Sequence, residues 1–151
     1  MAEARPERPY AQFNFRVDLA DGSDAGSAVA GFQEISGLGT EVTVAEYRNG
    51  NDKFNSVRKI SLMNKASDVT LKRGAIGVLT LYKWIDNLRS GQADYRTVVV
   101  HLMAEDHSGP VLTWRMLGAR ISKYTAGPFN AKGTDVAMEE MVLVYERLEM
   151  E

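Results

Sequence analysis

Gly31-Phe-Gln-Glu-Ile-Ser-Gly-Leu38 runs on to Glu46-Tyr-Arg-Asn-Gly50 and then to Val69-Thr-Leu-Lys-Arg-Gly74. Between these three motifs, strand-like runs flank a polar tip, Asn49-Gly50-Asn51-Asp52. Asn-Gly supplies the positive φ angles of a tight hairpin turn, so a long hairpin with a soluble end is expected here. Such a hairpin reads as an interaction element and not as a reaction site.

Outward from this stretch the pattern stays mainly β. Phe13, Phe15, Val17 and Leu19 alternate with Asn14, Arg16 and Asp18, the period of a strand with one wet face. Asp21 to Ser27 is a turn by composition, and Val29 to Ile35, closed by Ser36-Gly37-Leu38-Gly39, is a second short strand. Thr40 to Arg48 is a third, with a slip of apolar phase between Val44 and Tyr47 that a bulge would produce. Val57 to Leu62 and Asp68 to Lys72 read as strands separated by polar Asn64 to Ser67. Tyr95 to Ala104 carries apolar residues on both faces, and with Val111 to Leu117 it forms a natural hairpin across Glu105 to Pro110. Gly118 is expected to bend the chain before Arg120 to Tyr124, and Gly127 to Gly133 is a loop. Asp135 to Met150 keeps a two-residue period through Val136, Met138, Val142 and Val144 and is read as strand.

One segment departs from that period. Val78, Leu81, Tyr82, Ile85 and Leu88 recur at three-and-four spacing, which predicts one helix over about residues 75–89, with Gly91 as its stop.

With 151 residues, 44% hydrophobic and 25% charged, the chain can bury about two-thirds of its unfolded surface and hold a core without staples. Residues 1–9, charged and bearing two prolines, are expected to be a flexible arm, and residues 10–151 a single β domain. The absence of cysteine excludes disulfides, thiolate metal sites and a cysteine nucleophile. A formal net charge of -2 offers no overall attraction to nucleic acid or anionic lipid. No stretch approaches the roughly 20 apolar residues of a membrane helix, and the first residues lack the apolar run of a secretory signal.

Candidate chemistry is thin. Ser56-Val-Arg-Lys59 matches a bare Ser-x-x-Lys pattern without its companion motifs. Gly37-Leu-Gly39 lacks the third glycine of a dinucleotide fingerprint, and there is no nucleophile elbow or phosphate loop. His101 and His107 lack a ligand cluster, so no metal site is expected. Glu139 and Glu140, adjacent on a strand, point to opposite faces; one solvated and one interface glutamate are expected. Lys72 and Arg73, with Arg58 and Lys59, could form a basic strip, but aromatic stacking residues are not interleaved with it. Trp84 and Trp114 are read as core or helix-on-sheet packing, with interface anchoring as the alternative. No catalytic, cofactor or metal residue is assigned, and the chain is not expected to be an enzyme.

From Phe13 to about Glu146 the chain resembles the tail tube proteins of contractile phages and the inner tube proteins of phage-tail-like contractile injection systems. Phe32, Glu34, Ser36, Gly37 and Leu38 look like the family's Phe-x-Glu-Val-Ser-Gly-Leu element, and Tyr47 belongs to its Tyr-Arg-x-Gly hairpin. Leu71, Lys72, Arg73 and Gly74, followed by Trp84, form the most specific match. The resemblance implies an antiparallel β-barrel or sandwich with one helix and a long projecting hairpin, assembled as stacked hexameric rings. It also implies Arg48, Asn49, Gly50, Asn51, Asp52, Lys53 and Phe54 as ring-stacking contacts. Partners would be further copies of the chain, a sheath protein, baseplate and spike proteins, a tube cap, and a luminal cargo protein or DNA. The implied function is the inner tube of a contractile injection system. The alternatives are a contractile phage tail tube conducting DNA and an effector-carrying ring protein of the type VI secretion kind. Synthesis in the cytoplasm followed by assembly into a contractile particle or virion tail is the expected route.

Overall fold

The structure is a computed structural model that describes residues 9–12, 14–19, 31–51, 53–75, 79–106 and 108–151. Its elements are β1 (Phe15–Asp18), β2 (Glu34–Ser36), β3 (Thr40–Tyr47), β4 (Arg58–Ala66), β5 (Val69–Gly74), α1 (Thr80–Arg89), β6 (Arg96–Met103), β7 (Pro110–Ala126), β8 (Met138–Val144) and β9 (Arg147–Met150). Several sequence expectations lie outside the described residues: residues 1–8 of the arm, Phe13, the turn at 21–27, the first residues of the Val29 to Ile35 strand, Asp52, Val78 and His107.

A seven-stranded antiparallel sheet runs β1-β6-β7-β8-β5-β2, with β9 also on β7, and a separate two-stranded ribbon pairs β3 with β4. The 17-residue β7 links the two halves of the large sheet. Its first part pairs with β6 and β9, and its last part, from Arg120 to Ala126, pairs with β8. The corner falls at Gly118, where φ is +65° and an added Cβ would stand 3.0 Å from the Glu146 carboxylate. That angle is one an L side chain resists, so glycine lets one strand serve two sheet planes. The expected bend at Gly118 is therefore a corner inside a continuous strand. On the opposite strand the break falls at Tyr145 and Glu146, which divides the C-terminal run into β8 and β9.

The bent sheet and α1 enclose one core of Val17, Leu19, Val69, Leu71, Leu81, Trp84, Val98, Val100, Met116, Ala119, Ile121, Met141, Leu143 and Tyr145. Among the described residues the ends of the sheet, β1 and β2, do not pair, so the barrel is not closed there. In α1, Leu81 and Trp84 are fully buried while Ile85 and Leu88 pack partly against the core, so the described part of the stripe is as expected apart from exposed Tyr82, and the helix begins at Thr80, later than the expected residue 75. The Trp84 indole N–H donates to the Asp94 carbonyl at 2.8 Å, and the Arg96 guanidinium lies 4.4 Å from its ring centroid. Arg96 in turn bonds both Asp94 carboxylate oxygens at 3.0 Å, which holds that carboxyl below its usual pKa. Together these contacts lock the middle of α1 to the start of β6.

Three expectations are corrected. Asn64, Lys65 and Ala66 belong to β4 and not to a linker, because Thr40, Glu41 and Val42 pair with Ala66, Lys65 and Asn64. The buried face of β8 is Glu139, Met141 and Leu143, opposite to the face of Met138, Val142 and Val144. Apolar residues on both parities made the period ambiguous there, and the inward position is settled by a buried ion partner for Glu139. The turn of the ribbon is also not a two-residue hairpin turn. Tyr47 pairs with Arg58, so the described residues between them, 48–51 and 53–57, lie in the loop, and Gly50 is not among the positive-φ glycines.

Candidate assembly interface

The ribbon stands apart from the sheet. Among the described residues, β3 and β4 hydrogen-bond as strands only to each other. The base is tethered, since Ser67 N–H donates to Gly39 O at 3.1 Å and the Tyr145 hydroxyl donates to the same carbonyl at 3.1 Å. Burial raises the pKa of the Tyr145 phenol. Gly37 lies at the same base with φ +91°, and a Cβ there would come 2.3 Å from the Asp68 carbonyl oxygen. The Ser36-Gly37-Leu38 motif thus sets the point from which the ribbon leaves the body.

The surface of the ribbon is unusually apolar. Val42, Val44, Tyr47, Phe54, Val57, Ile60, Leu62 and Met63 are exposed, more than half of the exposed large hydrophobic side chains among the described residues. They do not share one face. Val44 pairs with Ser61, while Ala45 and Tyr47 pair with Ile60 and Arg58, so both faces carry apolar groups. A register shift between Val42 and Val44 places Leu62 and Met63 in a bulge. The shift lies just before the Val44 to Tyr47 slip seen in the sequence. An isolated two-stranded ribbon is marginal in water, and one apolar on both faces needs cover on both.

The tip is braced from within. The Arg48 Nε donates to the Phe54 carbonyl at 3.2 Å and its Nη2 to Asn55 Oδ1 at 3.3 Å, while the Tyr47 hydroxyl donates to Asn49 Oδ1. Of the stacking residues named from sequence, Arg48 and Asn49 are thus tied into the loop itself. Gly50, Asn51, Lys53 and Phe54 are exposed, and Phe54 is 76% exposed.

The remaining motif residues build the body. Leu71 is fully buried, and Leu38 and Phe32 pack partly on the core. Arg73 is 1% exposed, and its Nε donates to Glu139 Oε1 at 2.5 Å. The other Glu139 oxygen accepts from the Tyr124 hydroxyl at 2.7 Å, and Arg73 Nη2 donates to Thr80 Oγ1 at 3.2 Å. The Arg73 guanidinium also lies 5.6 Å from the Phe32 ring centroid. One buried network therefore joins β5, β8, β7 and the start of α1. The hydrogen bond to Glu139, assisted by burial, raises the pKa of the Tyr124 phenol. Glu139 is buried within the body and not solvated, because Arg73 supplies the charge that makes its burial tolerable.

Nor does a continuous basic strip form. Lys72 stands opposite Glu34 with 3.8 Å between the charged atoms, Arg73 is buried, and Arg58 and Lys59 are on the ribbon. Gly74 closes β5, where an added Cβ would meet Val136 at 3.8 Å. Ser36 ends β2 opposite Thr70. His101 Nδ1 lies 3.0 Å from Thr113 Oγ1 within the sheet, a packed role. Among the described residues, no group of His, Asp and Glu is arranged to hold a metal, and no helix is long and apolar enough to cross a membrane.

Apart from Tyr47 and Phe54, the exposed apolar side chains of the ribbon lie outside the site residues named from sequence. The available signal was the pair of parities, Val42 and Val44 against Tyr47, and Ile60 and Leu62 against Met63. A hairpin meant to be solvated would keep one of them polar.

The described residues thus form an open antiparallel barrel with one helix and a projecting two-stranded ribbon. The family model of the T4-like virus tail tube protein gp19 matches residues 11–149, and the chain belongs to that family. It is a tail tube protein of the kind found in phage tails and contractile injection systems. Its fold is similar to the PVC sheath-tube complex of an extracellular contractile injection system in its extended state, at 24% identity and a TM-score of 0.83, covering 97% of this chain and 93% of that one. It is similar also to the tube-terminating cap of the anti-feeding prophage, at 22% identity and a TM-score of 0.84, covering 99% and 95%. The likeness to Hcp1 from Flavobacterium johnsoniae is looser, at 12% identity and a TM-score of 0.55, covering 91% and 94%. No curated protein matches the chain significantly.

Proposed function

We propose that this tail tube protein forms hexameric rings that stack into the hollow inner tube of a contractile injection system, a conduit for cargo. The observation that carries the proposal is the β3–β4 ribbon, apolar on both faces and paired with nothing else among the described residues. Covering a half-exposed Val, Leu or Ile is worth on the order of 1 kcal/mol, so one ribbon offers several kcal/mol to a neighbouring copy. That is modest against the cost of association, and cooperative closure of a ring multiplies it. The unpaired edges of β1 and β2 give ring closure a second source of stabilisation, since pairing removes exposed strand edges.

The role is mechanical, with the tube driven by a contracting sheath and no covalent step. Solved chains of like fold sit in a sheath-tube complex, a tube cap and a baseplate, which supports the sheath, cap and baseplate as partners. The TM-scores to those chains are higher than the 0.62 to the gene transfer agent virion, and in this reading the tube is that of an injection system. In this reading residues 48–54 contact the next ring.

Electron microscopy and sedimentation of the concentrated full chain test the proposal, with sixfold rings and tubes expected. A chain that stays monomeric at every concentration, and that is absent from particles produced with its neighbouring genes, would refute it.

A further inference from the structure

We propose that the ribbon tip, with Phe54 as its anchor, seats in the seam between β1 and β2 of a second copy. This rests on the self-assembly proposed above and assigns the receiving surface. The seam is where the sheet fails to close, and it opens a groove of about 570 Å³ onto the apolar interior. Phe15, Ile35, Leu102 and Trp114 line its apolar wall, and Gln12 and Glu34 are among its polar residues.

Three observations favour the tip as occupant. Phe54 is an aromatic side chain, 76% exposed, and an aromatic in a pocket is the usual anchor of an interface. Its backbone is already held by the Arg48 guanidinium at 3.2 Å, so less freedom is lost on docking. Lys53 precedes it, and Glu34 stands in the groove with the Lys72 ammonium no nearer than 3.8 Å, which makes the charges complementary. The tip cannot fill its own seam. The ribbon leaves the body beside Gly39, and the rise of about 3.3 Å per residue along β3 carries Phe54 roughly 25 Å away. The contact is therefore between different surfaces of two copies, the kind that propagates or closes into a ring and does not stop at a dimer.

The cysteine-free chain allows a direct test. Lys53→Cys and Gln12→Cys, both at exposed positions, are combined in the full chain with Phe54 retained, and the assembled protein is treated with a short bis-maleimide. Covalent ladders of subunits are expected. Phe54→Asp in the same background should abolish the ladder and weaken association about thirtyfold or more, the effect of losing an interface hot spot. Its melting temperature should stay that of the parent. Tubes that form without a Lys53–Gln12 link overturn the seam assignment and leave the ring-stacking reading standing. A link from Lys132→Cys to Gln12→Cys in place of the Lys53 link assigns the groove to the loop bearing Phe129 and also overturns it. Absence of any assembly by the unsubstituted chain removes the reading beneath it.

Discussion

At the scale of single residues, the buried pair Arg73–Glu139 is the feature with the largest expected energetic consequence. Removing one partner leaves a charge in the core, so Glu139→Ala should destabilise the monomer by about 3–5 kcal/mol in urea unfolding. Arg73→Met with Glu139→Leu should cost much less than the sum of the single changes, because no orphan charge remains. The tyrosines beside these elements set a pH dependence. The Tyr124 phenol, hydrogen-bonded to Glu139, and the buried Tyr145 phenol both have raised pKa values in the folded state. The unfolded chain therefore loses these protons first as pH rises. Their contribution is complete below the ordinary tyrosine pKa of about 10 and declines as pH climbs from there through the folded values. Urea titrations at successive pH values should show this alkaline decline, and Tyr124→Phe with Tyr145→Phe should flatten it. Gly37→Ala should destabilise more than Gly118→Ala. The first drives a Cβ against a backbone oxygen at 2.3 Å, whereas the second meets the carboxylate end of Glu146 at 3.0 Å.

At the scale of elements, the ribbon separates stability from assembly. Val44→Lys and Ile60→Lys change exposed positions and should leave the melting temperature nearly unchanged, within about 0.5 kcal/mol. Their effect should appear as loss of self-association in sedimentation. Deleting residues 49–54 should likewise abolish tubes while circular dichroism still reports the β fold, and unchanged tubes would exclude a stacking role for the loop. The helix was legible from Leu81, Ile85 and Leu88 at three-and-four spacing, and β1 from Val17 and Leu19. The ribbon turn was misread because Asn49-Gly50 is a local signal. The pairing of Tyr47 with Arg58 is set by register along the whole of β3 and β4.

At the scale of the whole molecule, an open barrel with an apolar ribbon implies association that depends on concentration. Mass photometry across a dilution series should show a change between monomer and closed rings with few intermediates, since an incomplete ring leaves two interfaces unmade. A broad ladder of open oligomers would argue against closure.

Family membership, the mainly β class, the helix and the bend at Gly118 followed from the order of residues, because side-chain period and glycine placement are local properties. The family motif was equally legible, but its meaning was not. Phe32, Leu71, Arg73 and Trp84 proved to be parts of the body, and the unpartnered apolar surface lay between the motifs. Only the tertiary structure could decide that Glu139 is buried, since Arg73 is 66 positions away along the chain. Likewise, only the tertiary structure showed that, among the described residues, β3 pairs with β4 and with no other strand. Burial of charge and exposure of apolar surface depend on which distant segments meet, and nothing in a single stretch of sequence records that.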